Sequence, residues 1–355
     1  MTLAQQFAAY SKWRTQLSAG LEAFRRCLSE NELSDAQTEL RIRQLLEKLR
    51  EDRLHVAFVA EFSRGKSELI NAIFFADYGN RMLPSTAGRT TMCPTELMYD
   101  PNKPPGIELL PIQTRATNSS ISEYKCYPDE WKVVPLDTKS AESMQEALRS
   151  VSEVERVSPE IAEKLGFASG NRESTVVRVA EDGMVEIPHW RHAIINFPHP
   201  LLKQGLVILD TPGLNAIGAE PELTLSLLPN AHAVLFILAA DTGVTQSDLA
   251  IWNEHIGAPG GRKKGRIVVL NKIDSMWDEL KSEEEINAEI TRQTNNCAWT
   301  LDLPESQIFP VSAQKALVAK INKDASLLKR SRLPDLEAAL SGELIPAKQE
   351  IIHEN

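Results

Sequence analysis

Apolar positions at Leu3, Phe7, Tyr10, Leu17, Leu21, Phe24 and Leu28 recur every three or four residues, with Arg14 interrupting the seam beside Trp13. That spacing predicts one face of a helix. Ser34 with Gln37 three residues on is a capping-box signal, and Leu40, Ile42, Leu45, Leu46 and Leu49 carry a second helix to about Arg53. Residues 1–53 are therefore expected to form a helical hairpin, packed either on its own domain or into a larger bundle. At Leu54 the pattern changes to Leu54-His55-Val56-Ala57-Phe58-Val59, a run suited to a strand buried on both faces of a parallel sheet. Similar runs follow at Leu206–Leu209, Ala233–Ala239, Ile267–Leu270 and Ile308–Val311. Strands alternating with helices predict an α/β fold over 54–325, with a doubly wound, mostly parallel sheet. The stretch at about 100–204 is too long for a loop and is expected to be an insertion with its own secondary structure. It carries a helix from about Ser140 to Arg156 and β-like runs at Thr175–Val179 and His192–Phe197. Residues 326–355 again look helical through Leu336, Leu340, Leu344, Ile345, Ile351 and Ile352, with Pro346 interrupting and no C-cap signal after Ile352. This segment reads as a helix cut short.

A chain of 355 residues with 42% hydrophobic and 25% charged positions has ordinary globular composition. Its formal net charge of −10 argues against phosphate-backbone binding, so no nucleic-acid partner is expected. Cys27, Cys93, Cys126 and Cys297 form no C-x-x-C pair, which suggests neither a zinc cage nor a disulfide framework and suits a reducing cytoplasm. The sequence opens without a signal-peptide pattern and holds no run of ~20 apolar residues, so any membrane contact is expected to be peripheral or to lie in sequence outside these 355 residues.

Chemistry enters at the ends of the apolar runs. The first is followed by Ala60-Glu61-Phe62-Ser63-Arg64-Gly65-Lys66-Ser67, which fits G-x-x-x-x-G-K-[ST] except for Ala60. Backbone N–H groups of this loop and of the following helix, Glu68 to Phe75, form a nest for the β-phosphate. Lys66 reaches the β- and γ-phosphates, and the Ser67 hydroxyl is a Mg²⁺ ligand. The run ending in Asp210-Thr211-Pro212-Gly213 places a carboxylate where it holds a Mg²⁺-bound water, and offers the Gly213 N–H to the γ-phosphate. Asn271-Lys272-Ile273-Asp274 supplies a carboxylate for N1 and the exocyclic amine of guanine, a donor pair that adenine lacks, with the Lys272 stem along the base plane. Ser312-Ala313, at the next strand end, places two backbone N–H groups near the guanine carbonyl. Between Pro84 and Pro94, one hydroxyl among Ser85, Thr86, Thr90 and Thr91 should bind Mg²⁺; spacing leaves Thr90 and Thr91 open. Arg262-Lys263-Lys264-Gly265-Arg266 reads as a solvated basic loop and Glu283-Glu284-Glu285 as a solvated helix face. His189, His192 and His199 have no metal-site spacing and are assigned structural roles.

These motifs resemble the dynamin superfamily, specifically its bacterial branch. The resemblance lies in Glu61-Phe62-Ser63-Arg64-Gly65-Lys66-Ser67 with Leu69-Ile70-Asn71-Ala72, in Gly88-Arg89-Thr90-Thr91-Met92-Cys93-Pro94-Thr95, and in Asp210-Thr211-Pro212-Gly213-Leu214. It covers about 54–325 and selects Thr91 as the switch threonine. It also implies flanking neck-type helices, GTP/GDP and Mg²⁺ as ligands, and two GTPase domains meeting face to face to complete each other's sites. Helices would then convert hydrolysis into movement on a membrane. Phe62 stands where the family often has glutamine, and Leu214 where small GTPases have their catalytic glutamine. Intrinsic turnover is therefore expected to be slow and to rely on backbone groups, Ser63 and the Thr91 carbonyl. The competing expectations are a switch-type regulator whose GTP form binds a soluble protein, and a scaffold that binds nucleotide without turnover.

Overall fold

The computed structural model describes residues 3–31, 38, 41–42, 45–46, 53–61, 63–83, 93–117, 119–167, 178–179, 183–211, 228, 231–257, 265–340 and 342. Most of the predicted second helix, Phe62, the segment holding Thr90 and Thr91, Pro212-Gly213-Leu214, Arg262 to Lys264 and the tail from 343 lie outside the described residues.

Nine described strands form one sheet. Strand β1 (Leu54–Ala60) lies at its middle, flanked in parallel by β9 (Leu206–Asp210) and β10 (Ala233–Ala239); β11 (Arg266–Asn271) and β12 (Ile308–Pro310) follow β10, also in parallel. On the other side β2 (Thr95–Met98) pairs antiparallel with β9, and β8 (Trp190–Asn196) pairs parallel with β2. Then β3 (Gly106–Pro111) and β4 (Lys132–Pro135) extend the sheet antiparallel. The five apolar runs read from sequence become β1, β9, β10, β11 and β12. Each is predominantly apolar because both faces are covered, with the polar residues His55, Asp210, Arg266 and Asn271 as exceptions. Along β1, Leu54, Val56, Phe58 and Ala60 pack into the core on one face, while Ala57 and Val59 enter the core on the other.

The stretch at about 100–204 carries strands and helices of its own. Its strands β3, β4 and β8 extend the main sheet, whereas β5 (Val154–Val157), β6 (Arg178–Val179) and β7 (Val185–Pro188) form a separate antiparallel sheet. Val185 and Ile187 of that small sheet pack with Ile112, Ala162, Leu165 and Phe167 in a separate apolar cluster. The helix expected to reach Arg156 ends at Arg149, because Val154 and the residues after it are drawn into pairing with β7. The helix expected from Glu68 begins at Lys66 and widens into a π-turn over Asn71–Phe75.

The N-terminal helix Leu3–Glu30 is continuous and leaves Trp13, Leu17 and Phe24 exposed. Among the described residues no helix is long and apolar enough to cross a membrane. The helix at 333–340 buries Leu333, Leu336 and Leu340 in the core beneath β1. Glu283, Glu284 and Glu285 form the first turn of the helix Glu283–Leu301, capped by Ser282, where negative charge complements the helix dipole.

The three histidines occupy separate structural positions. His189 pairs with Glu155 at 2.8 Å, and buried His192 lies 3.0 Å from Glu96 Oε1, which also accepts from Lys125 at 2.7 Å. Burial alone would raise the Glu96 pKa, but His192 and Lys125 outweigh it and hold the carboxyl well below its usual range. His199 lies against Phe74 and Phe197, where burial and the nearby Lys320 depress its pKa to about 4 against the opposing pull of Asp77. A folded-state pKa below the unfolded value of 6.5 means that the unfolded chain takes up a proton first as pH falls. Stability contributed by neutral His199 is therefore complete above pH 6.5 and is lost as pH drops toward 4. Thermal melting across this window should show that loss, and His199→Gln should flatten it.

Candidate functional site

The polar groups gather where β1, β9 and β11 end, at the side of the sheet where parallel strands leave room for a ligand. After Ala60 the chain turns through Ser63 and Arg64 to Gly65, which precedes the helix Lys66–Ile70. Gly65 has φ of 85°, and a Cβ there would lie 2.3 Å from Asn271 Nδ2. Only glycine fits, and it leaves the helix start without a side-chain cap, so the first-turn N–H groups stay available to an anion. Ser63 adopts φ of 62° and is exposed at the loop tip. Ala60, at the position where the motif has glycine, is the last residue of β1 and buries its methyl group in the core.

Pairing of β1 with β9 sets Asp210 level with Phe58, and Lys66 Nζ lies 2.9 Å from Asp210 Oδ1. Both side chains are buried, so each charge requires its partner. Ser67 is buried beside them. A hydroxyl and a carboxylate are the hard oxygen donors that suit Mg²⁺, which keeps several of its own waters and needs few protein ligands. The donor set fits that ion.

Asn271 ties the two halves of the site together. Its Nδ2 donates to the Arg64 carbonyl at 2.9 Å, and its Oδ1 accepts the Ala313 N–H at 3.0 Å. The phosphate loop and the loop after β12 are thus fixed through one buried amide. Lys272 takes φ of 65°, and its Nζ lies 3.8 Å from Asp241. Ser312 Oγ donates to Asp274 Oδ1 at 2.6 Å and orients that carboxylate. The sequence placed the Ser312 and Ala313 N–H groups near a guanine carbonyl. In the structure they are committed inside the protein, to the Ser331 carbonyl and to Asn271.

Three loop residues expected to meet the nucleotide turn their side chains elsewhere. Glu68 forms a bidentate pair with Arg81, two contacts being 2.9 and 2.7 Å. Arg64 is buried and bonds Glu61 at 2.7 Å and Asp248 at 2.9 Å, so Glu61 and Arg64 face away from the phosphate side. Their contribution to the nest is through the backbone. Asp248 and its neighbours Thr242, Thr245 and Ser247 are missed by motif reading. The one signal for them is the capping spacing of Thr245 and Asp248, which opens the helix Gln246–Ile251. Phe62, Thr91 and Gly213 lie outside the described residues.

A family model described as the Dynamin family matches residues 56–273. The chain belongs to that family. It is 22% identical over 292 residues to a bacterial dynamin-like protein of Nostoc punctiforme, an alignment covering 81% of this chain and 34% of that protein. Over 148 residues it is 36% identical to a probable transmembrane GTPase, FZO-like and chloroplastic, of Arabidopsis thaliana, covering 41% of this chain and 15% of the relative. This dynamin-family chain thus spans a minor part of these relatives' length. A solved chain of an oligomerised bacterial dynamin pair, linked to long-range sensing and tethering of membranes, shares the fold with a TM-score of 0.55. At 17% identity the match covers 100% of this chain and 54% of that one. A second chain of such a pair gives a TM-score of 0.53 at 16% identity, covering 96% of this chain and 46% of that one.

Gly65→Ala should weaken binding of a fluorescent GDP analogue on the order of tenfold or more, because the methyl group strains the loop and displaces Asn271. A titration monitored by anisotropy measures it, with circular dichroism confirming that the fold is intact.

Proposed function

We propose that this dynamin-family chain binds GTP with Mg²⁺ and hydrolyses it to GDP and phosphate, slowly alone and faster when two GTPase domains face each other. The observation that carries the reading is the meeting of Lys66, Ser67, Asp210 and Asn271 at the strand ends, with Asp274 held by Ser312. In this reading the loop N–H groups and Lys66 hold the phosphates, and Asp274 selects guanine. Ser67, Asp210 and Thr91 would hold Mg²⁺, which would supply positive charge against the developing phosphate charge. The water oxygen bonds to the γ-phosphorus as the bond from that phosphorus to the bridging oxygen breaks; GDP leaves with that bond's electron pair, and the water's proton goes to the released phosphate.

The dimer is supported by the residues at two positions. Phe62 and Leu214 have no group able to orient water, where related enzymes carry glutamine, and Ser63 sits exposed at the loop tip. Two solved proteins of this fold are described as an oligomerised bacterial dynamin pair that senses and tethers membranes, which supports assembly in general, and coupling to membrane remodelling is part of this proposal. Turnover per molecule should rise with protein concentration over roughly a hundredfold range as the dimer forms by mass action. Phosphate release measures it, and Lys66→Ala should abolish it. A specific rate flat across that range would remove the dimer from the account, while absent turnover would remove catalysis.

A further inference from the structure

Arg64 lies two residues before Lys66, in the middle of the phosphate loop, yet its guanidinium is buried and points behind the loop. Its Nη2 reaches Glu61 Oε2 at 2.7 Å, Asp248 Oδ2 at 2.9 Å and Thr245 Oγ1 at 3.3 Å, while Nη1 donates to the Thr242 hydroxyl. Glu61 is in turn held by Ser247 Oγ at 2.6 Å, and Asp248 is fully buried as the capping acid of the helix Gln246–Ile251. Arg64 thus bridges both carboxylates, and the hydroxyls of Ser247 and Thr245 complete the cluster. The same loop after β10 is anchored to the guanine-recognition strand, since the Ala240 N–H donates to the Asn271 carbonyl at 2.7 Å.

Resting on the nucleotide-site reading above, we infer that Arg64 is a positioning residue for the phosphate loop. Glu61 and Arg64 bracket Ser63, which must hold a left-handed backbone without glycine's freedom. Pinning both residues from behind holds the strained arc, so the N–H groups between Ser63 and Lys66 are aimed before any phosphate arrives. Arg64 touches no phosphate and acts only through the backbone it holds. Lysine cannot reproduce the fork that spans two carboxylates and two hydroxyls, since its ammonium lacks the planar, multidentate geometry.

The test compares Asp248→Asn, Arg64→Lys, and Arg64→Met combined with Asp248→Asn, which removes a buried cation together with one of its anions. For each, dissociation of a fluorescent GDP analogue is followed by stopped flow, and melting is measured without nucleotide. Misplacing the loop N–H groups should speed dissociation on the order of tenfold to a hundredfold in the double variant. Arg64→Lys should recover part of the loss, and nucleotide-free melting of the double variant should stay near that of the parent. A double variant that melts like the parent and releases the analogue within about twofold of its rate overturns the inference. So does a lowered melting point with unchanged dissociation, the mark of a purely structural role. Failure of the parent chain itself to bind the analogue would instead overturn the nucleotide-site reading, and this inference with it.

Discussion

The buried side chain of Asn271 is the contact on which the rest of the site depends. An amide in a dry interior must satisfy both its donor and its acceptor, because an unpaired one costs about 1–3 kcal/mol. Here the donor is spent on the phosphate loop at Arg64 and the acceptor on Ala313 after β12. One residue thereby sets the distance between the phosphate end and the base end. The requirement propagates to Gly65, where a methyl group has no room beside that amide.

The sheet makes this constraint affordable to a loop-built site. Strands β9, β1, β10, β11 and β12 run parallel and are buried on both faces, so their ends are fixed by the core. Lys66 meets Asp210 because β1 and β9 are locked in register, and pairing opposite charges offsets part of the cost of burying each. Behind the phosphate loop, Arg64 and its carboxylates repeat the principle on a second tier. Buried charge is tolerated where it holds geometry, once on the nucleotide side and once behind it.

How far this could be read from the sequence follows from the range of each interaction. The apolar runs of β1, β9, β10, β11 and β12 were legible because burial on both faces removes polar residues locally. The motifs that carry Lys66, Asp210 and Asn271 were legible because each directly follows one of these apolar runs. The placement of β3, β4 and β8 in the main sheet was hidden, since pairing such as Leu97 with Ile195 joins distant segments and leaves no local period. The same holds for Arg64, which stands inside the motif but answers to Asp248, 184 residues away. Ser312 was assigned through its N–H, whereas its hydroxyl carries the contact to Asp274.

Guanine recognition is the claim that joins fold, site and family, because it requires β11, β12 and the phosphate loop to be in register at once. Competition of GTP and ATP against a bound fluorescent GDP analogue tests it most directly. The account predicts that GTP displaces the analogue at a concentration lower by on the order of 1,000-fold than ATP, since adenine leaves the Asp274 carboxylate without its donors. Equal displacement by the two nucleotides would contradict it.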